Sequence, residues 1–135
     1  MNEEIKVKKI DALQSQLIAF QRNEITEHHI YQRLAKTIPS QPNREVLRKI
    51  AADELKHYQT LKKFSGREVR PNYLMFWFYY LISRLLGFTF GIKLMELGEK
   101  KAEKGYSGLQ GQLEVINQIM HDEDAHEAAL IEMLD

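Results

Sequence analysis

The chain contains no cysteine. That absence excludes disulfide staples, thiolate nucleophiles, iron–sulfur clusters and any four-cysteine metal centre. Glycine occurs 7 times and proline 3 times in 135 residues, which is too few for many short strands and favours long helices. Excess charge of one sign is also missing. Lys+Arg and Asp+Glu are both 19, so there is no electrostatic footprint for a nucleic-acid partner. The opening segment MNEEIKVKKI is charged and lacks the apolar stretch of a signal peptide, so a cytoplasmic location is expected. Long apolar runs are absent too: the longest, Tyr73 to Ile82, falls well short of the ~20 residues of a membrane-spanning helix. A chain of this length makes one domain, residues 1–135.

What is present is helical periodicity. Leu13, Leu17, Phe20, Glu24, Glu27, Tyr31 and Leu34 step by three and four residues, predicting a first helix over about 4–37. IPSQPN breaks it, and Asn43 is the expected N-cap of a second helix over about 44–65. That helix has the seam Leu47, Ile50, Glu54, His57, Leu61, Phe64 and a stop at Gly66. Two helices joined at Gly87 are expected over about 73–86 and 88–105, the later seam being Leu85, Phe88, Ile92, Glu96, Glu99, Glu103, Tyr106. GYSG reads as a turn, and a last helix over about 109–134 carries Ile116, Ile119, Glu123, His126, Leu130 and Met133.

Four of these seams are apolar at their ends and acidic in their middles. A core-facing carboxylate costs several kcal/mol unless it is compensated. The same anomaly on four helices asks for a cation. Two of the acids belong to Glu-x-x-His pairs, Glu54 with His57 and Glu123 with His126. With 14 Glu and 5 His in the chain, about half a pair is expected by chance, so the motif alone decides little. Register decides more. Glu24 and Glu54 lie about equally far from one turn, and Glu96 and Glu123 about equally far from another, which puts each pair at one height. The series Glu24, Glu27, Glu54, His57 is followed by Glu96, Glu99, Glu123, His126, an internal repeat that predicts two hairpins about an approximate two-fold.

One Glu from each of two helices plus Glu-x-x-His from each of the other two matches the donor set of di-iron and di-manganese carboxylate bundles. Residues i and i+3 share a helix face, so one carboxylate can bridge two metals while the imidazole binds one. Four carboxylates balance two divalent ions. A fifth, from Glu99 or Glu27, suits a more oxidised pair. The expectation is therefore two iron ions, with manganese compatible with the same ligands, rather than structural zinc. Expected ligands are Glu24, Glu54, His57, Glu96, Glu123 and His126, with Glu99 and Glu27 each either a ligand or a neighbour, and Tyr31 as core or as a hydrogen-bond donor to a ligand. His28, His29 and His121 fall off the seams and read as surface, as do Glu103 and Glu127.

The motifs NEITEHHIY, ADELKHY, LMELGEK and DEDAHE together resemble the ferritin-like superfamily in its rubrerythrin branch, over nearly the whole chain. The resemblance implies a ferritin-like four-helix bundle. It assigns Glu24 and Glu96 as terminal ligands, Glu54 and Glu123 as bridges, His57 and His126 as nitrogen ligands, Tyr31 beside the site and Glu99 as the additional, redox-responsive glutamate. The stretch LGFTFGIKLMELGEK is similar to the erythrin domain found ahead of vacuolar-iron-transporter-type membrane domains. The implied activity is oxidation of Fe²⁺ or reduction of peroxide or O₂ in iron handling or oxidative-stress defence. The alternative is a non-catalytic iron-binding or sensing domain serving an iron transporter. Two departures stand out. There is no cysteine-rich rubredoxin module, so electrons come from an external donor, and no membrane domain follows Asp135. The helical ending suits a soluble piece of a longer protein.

YLMFWFYYLI is apolar on every face. It fits the long crossover of such a bundle as an extra short helix, yet one side is left for a partner. A homodimer through residues 73–86 is the favoured expectation, with a membrane surface held by Trp77 and its neighbouring tyrosines as the alternative.

Overall fold

The structure is a computed structural model that describes residues 2–107 and 114–134. Among these the fold is all-helical: α1 Asn2–Ala35, α2 Gln41–Ser65, α3 Tyr73–Leu86, α4 Phe88–Ser107 and α5 Glu114–Met133. The expected start of the last helix near 109 and the side chain of Glu103 lie outside the described residues.

Local chemistry explains the boundaries. Ser40, rather than Asn43, is the N-cap of α2: its hydroxyl accepts from the Asn43 amide at 3.4 Å. Pro42 occupies the first turn, where its missing N–H costs nothing. Gly66 closes α2 at φ 70°, a left-handed conformation open to glycine, and its amide returns to the Lys62 carbonyl. Asn72 caps α3, accepting from the Met75 amide at 3.1 Å. GYSG does not turn the chain at Gly105, because α4 continues through Tyr106 to Ser107. Gly105 instead lets α4 approach Phe20: a Cβ there would lie 3.1 Å from the ring.

α1 and α2 form one antiparallel hairpin, with Gln14 bonded to the Ser65 carbonyl at one end and His28 to the Ala51 carbonyl nearer the other. α4 and α5 form a second, in which Ile92 shares a core with Leu130, and Tyr106 with Ile116 and Ile119. α3 packs on α1 and α4, and α2 touches α5. The segment before α3 is strapped to the first hairpin. Gln21 donates to the Arg67 carbonyl, Tyr58 Oη accepts from the Val69 amide, and Thr26 Oγ1 accepts from the Asn72 amide. These bonds satisfy backbone groups that the irregular connection would otherwise leave unpaired.

Two apolar clusters lie at opposite ends of the hairpins. One joins Ile30, Tyr31, Leu34, Leu47, Ile50, Ile92, Met95 and Leu130; the other joins Leu17, Leu61, Tyr106, Ile116 and Ile119. Between them lies a buried polar layer. Outside this sandwich, residues 2–12 of α1 are exposed throughout. Three apolar seam assignments are corrected, the first being Phe88, which is exposed at the start of α4. Phe64 is half exposed at the end of α2, and Leu85 points outward because it belongs to α3 and not to the seam of α4. No helix among the described residues is long and apolar enough to cross a membrane.

Candidate metal centre

The polar layer draws one or more acids from each of α1, α2, α4 and α5. Glu54, Glu99 and Glu123 are 0% exposed, Glu24 is 2%, and His57 and His126 are 3%. They form two four-residue groups whose donor atoms lie within 4.8 Å of one another: Glu24, Glu54, His57, Glu123, and Glu54, Glu99, Glu123, His126. Glu54 and Glu123 belong to both groups. Each helix earns its place by spacing, since Glu54 and His57, like Glu123 and His126, are one turn apart and share a face.

The two halves exchange partners. Tyr31 on α1 donates to Glu99 Oε1 on α4 at 2.7 Å, while Tyr106 on α4 donates to Glu24 Oε1 on α1 at 2.6 Å. His57 Nε2 on α2 lies 2.7 Å from Asp122 Oδ2 on α5, and His126 Nε2 on α5 lies 2.9 Å from Asp53 Oδ2 on α2. Each Asp fixes its imidazole with the other nitrogen turned inward. His57 Nδ1 then faces Glu24, Glu123 and Glu54 at 3.3, 3.4 and 3.7 Å, and His126 Nδ1 faces Glu54 and Glu99 at 3.0 and 3.9 Å.

Several inward atoms have no hydrogen-bond partner: both oxygens of Glu54 and of Glu123, Glu99 Oε2 and His126 Nδ1. These are all lone-pair donors converging on one buried volume. Orphaned oxygens and an imidazole nitrogen in this arrangement fit hard or borderline cations such as iron or manganese.

Electrostatics describe the same demand. Burial pushes the Glu54 carboxyl well up, helped by the charges of Glu24 and Glu123. Burial does the same to Glu123, with Glu24 adding to it. Glu27 is pushed up to about 7 by burial and by Glu24. Burial alone would lower His57, but hydrogen bonding to Glu123 and Glu24 outweighs it and raises the imidazole to about 11. His126 moves down, through burial against the pull of Asp53, with the charge of His57 nearby. Without a metal the layer therefore holds protons to balance crowded carboxylates.

Sequence and structure part company at Glu96. Its carboxylate is 3.2 Å from Lys100 Nζ, with Glu127 also beside that lysine at 3.7 Å, and it joins neither donor group. Glu99, one turn later, takes the place opposite Glu24. The internal repeat therefore pairs Glu24 with Glu99 and Tyr31 with Tyr106, and the expected pairing of Glu24 with Glu96 is one turn out of register. Glu27 is buried but outside both groups; the missing side chain of Gly98 leaves space beside its Oε1.

Asp53 and Asp122 are site residues that the periodicity did not single out, and Tyr106, placed in a seam, was given no role at the site. Two signals carried them: Glu-x6-Tyr occurs twice, as Glu24/Tyr31 and Glu99/Tyr106, and each Glu-x-x-His is preceded by Asp. His28 is corrected from surface to buried, its Nδ1 2.7 Å from the Ala51 carbonyl. Residues 24–28 are all buried because α1 is flanked by α2 on one side and by the strapped segment on another. His121 is exposed as expected, while His29 and Glu127 are half-buried. No family model, no curated protein and no solved structure matches this chain.

Proposed function

We propose that the chain is a di-iron carboxylate protein with a ferritin-like four-helix bundle formed by α1, α2, α4 and α5, with α3 as its crossover helix. Its proposed activity is the oxidation of Fe²⁺ coupled to reduction of peroxide or O₂ in iron handling or oxidative-stress defence. The observation that carries this reading is the pair of donor groups sharing Glu54 and Glu123, with the shared oxygens left unpartnered.

In this reading Glu54 and Glu123, which belong to both groups, would hold both ions, with Glu24 and His57 holding one and Glu99 and His126 the other. Bound iron supplies the electrons that reduce the oxidant. The protein's part is to hold and release charge. Tyr106 and Tyr31 keep Glu24 and Glu99 aimed inward through their hydroxyls. Asp122 and Asp53 keep the imidazole lone pairs inward. The apolar clusters on either side exclude bulk water, which strengthens each interaction in the layer. Glu27 stands beside the cage as an acid that gives up its proton when more positive charge arrives.

Anaerobic titration of the full chain with Fe²⁺, followed by peroxide and a reductant, tests the proposal. The expected result is saturation at two irons per chain and repeated peroxide turnover. One slow stoichiometric oxidation with no cycle would instead assign the cage to iron binding or sensing. Failure to bind iron at all would sink both readings.

A further inference from the structure

The outward face of α3 is apolar at a spacing that has no use on a solvated helix. Leu74, Phe78, Leu81 and Leu85 follow one another at intervals of four, three and four, and are 83%, 56%, 51% and 79% exposed. That is the seam pattern by which one helix packs knobs-into-holes on another. The opposite side of α3 is already engaged: Phe76, Tyr79 and Tyr80 pack against the main core, and Ser83 meets α4 at Gly91, where a Cβ would lie 2.5 Å from its hydroxyl. The exposed row is therefore not a misplaced inner face.

We infer that the occupant of this face is a second copy of the chain, bound through an antiparallel crossing of the two α3 helices. Area supports this. With Tyr73 and Trp77, the row exposes on the order of 700 Å², more than the largest apolar patch of a typical monomer and close to one partner's share of a standard interface. Self-complementarity supports it too, because an isologous contact sets this same heptad-spaced row against itself. Charge fixes the direction of the crossing. From Val69 to Met95 the chain carries Arg70, Arg84 and Lys93 and no acid. A parallel crossing would bring the two Arg84 side chains together with nothing to neutralise them. The antiparallel one sends them to opposite ends.

The same cations and the tryptophan make an anionic bilayer the rival occupant, and the test separates the two. Sedimentation velocity on the full chain at tens of micromolar is expected to give twice the 15.9 kDa chain mass. Phe78→Glu/Leu81→Glu is expected to give the chain mass with unchanged helical circular dichroism, since both residues are exposed and lie outside the donor groups. Trp77 is the only tryptophan, so its emission should shift to the red on dilution, over the same concentration range as dissociation. Three results would overturn the inference: a monomeric parent chain, a dimer that the double variant leaves intact, or a monomer that co-sediments with phosphatidylcholine–phosphatidylglycerol vesicles and loses that binding in the double variant.

Discussion

The hydroxyl of Tyr31 on α1 donates to Glu99 on α4 at 2.7 Å, and both residues are fully buried. The bond joins the first hairpin to the second across the polar layer. Its counterpart from Tyr106 to Glu24 runs the other way, so the two hairpins are clasped by a reciprocal pair.

Removing either hydroxyl tests the clasp. Tyr31→Phe leaves Glu99 Oε1 without its donor in a dry site, and a buried acceptor left this way costs about 1–3 kcal/mol. Urea denaturation of the metal-free protein should show that loss for Tyr31→Phe and a comparable one for Tyr106→Phe. A loss in only one of the two would mean that the halves are not equivalent.

The one-turn shift between Glu96 and Glu99 separates two ligand assignments. Glu99→Gln should lower the metal content of protein purified without chelator, as should Glu54→Gln. Glu96→Gln should leave it unchanged, because Glu96 is spent on Lys100. Elemental analysis decides. Metal loss in Glu96→Gln with retention in Glu99→Gln would restore the register expected from sequence.

Asp53 and Asp122 orient the imidazoles from outside. In Asp122→Asn the amide can donate to His57 Nε2, which turns the proton inward to Nδ1, where a metal lone pair is needed. Loss of such a supporting carboxylate typically weakens metal binding by about 10–100-fold. Competition against a chelator of known affinity measures this, and Asp53→Asn should behave alike through His126.

Proton linkage gives the metal-free protein a distinctive pH profile. Glu27 rises from its ordinary 4.5 to about 7, so its contribution is complete below 4.5 and is lost as pH climbs through about 7. His57 rises from 6.5 to about 11, so its contribution is complete below 6.5 and is lost as pH climbs through about 11. The upward shifts of Glu54 and Glu123 act in the same direction. The downward shift of His126 opposes them, because it adds stability as the imidazole loses its proton. Three raised carboxyls and a raised imidazole prevail, so the metal-free melting temperature should fall between about pH 6 and pH 9. Iron or manganese replaces those protons and should remove most of the fall. A metal-free profile that rises over this range would contradict the charge balance of the layer.

Helices were legible because their signal is local. Seams at intervals of three and four marked α1, α2, α4 and α5, and an apolar run ending at Gly87 marked α3, which has the expected limits, Tyr73 and Leu86. The acids of the buried layer were legible for the same reason, since a charged residue in an apolar seam stands out wherever the helix packs. Glu54, His57, Glu123 and His126 could be named from spacing alone.

Height along a helix is not a local property. A glycine that reads as the start of a turn can sit inside a helix, as Gly105 does, where a Cβ would lie 3.1 Å from the Phe20 ring. Matching by height put Glu96 level with Glu123, whereas Glu99, one turn later, shares the donor group with Glu123. Likewise, no seam says which tyrosine reaches which glutamate, or that Asp53 serves a histidine on another helix. The sequence by itself determined that Glu24, Glu54, Glu99, Glu123, His57 and His126 would be buried, because periodicity dictates which face each helix turns inward; it placed Glu96 with them, and that acid lies half-buried beside Lys100 instead. Only the tertiary structure decided which of them meet, because partner choice between helices depends on their relative axial displacement, and that is set by packing.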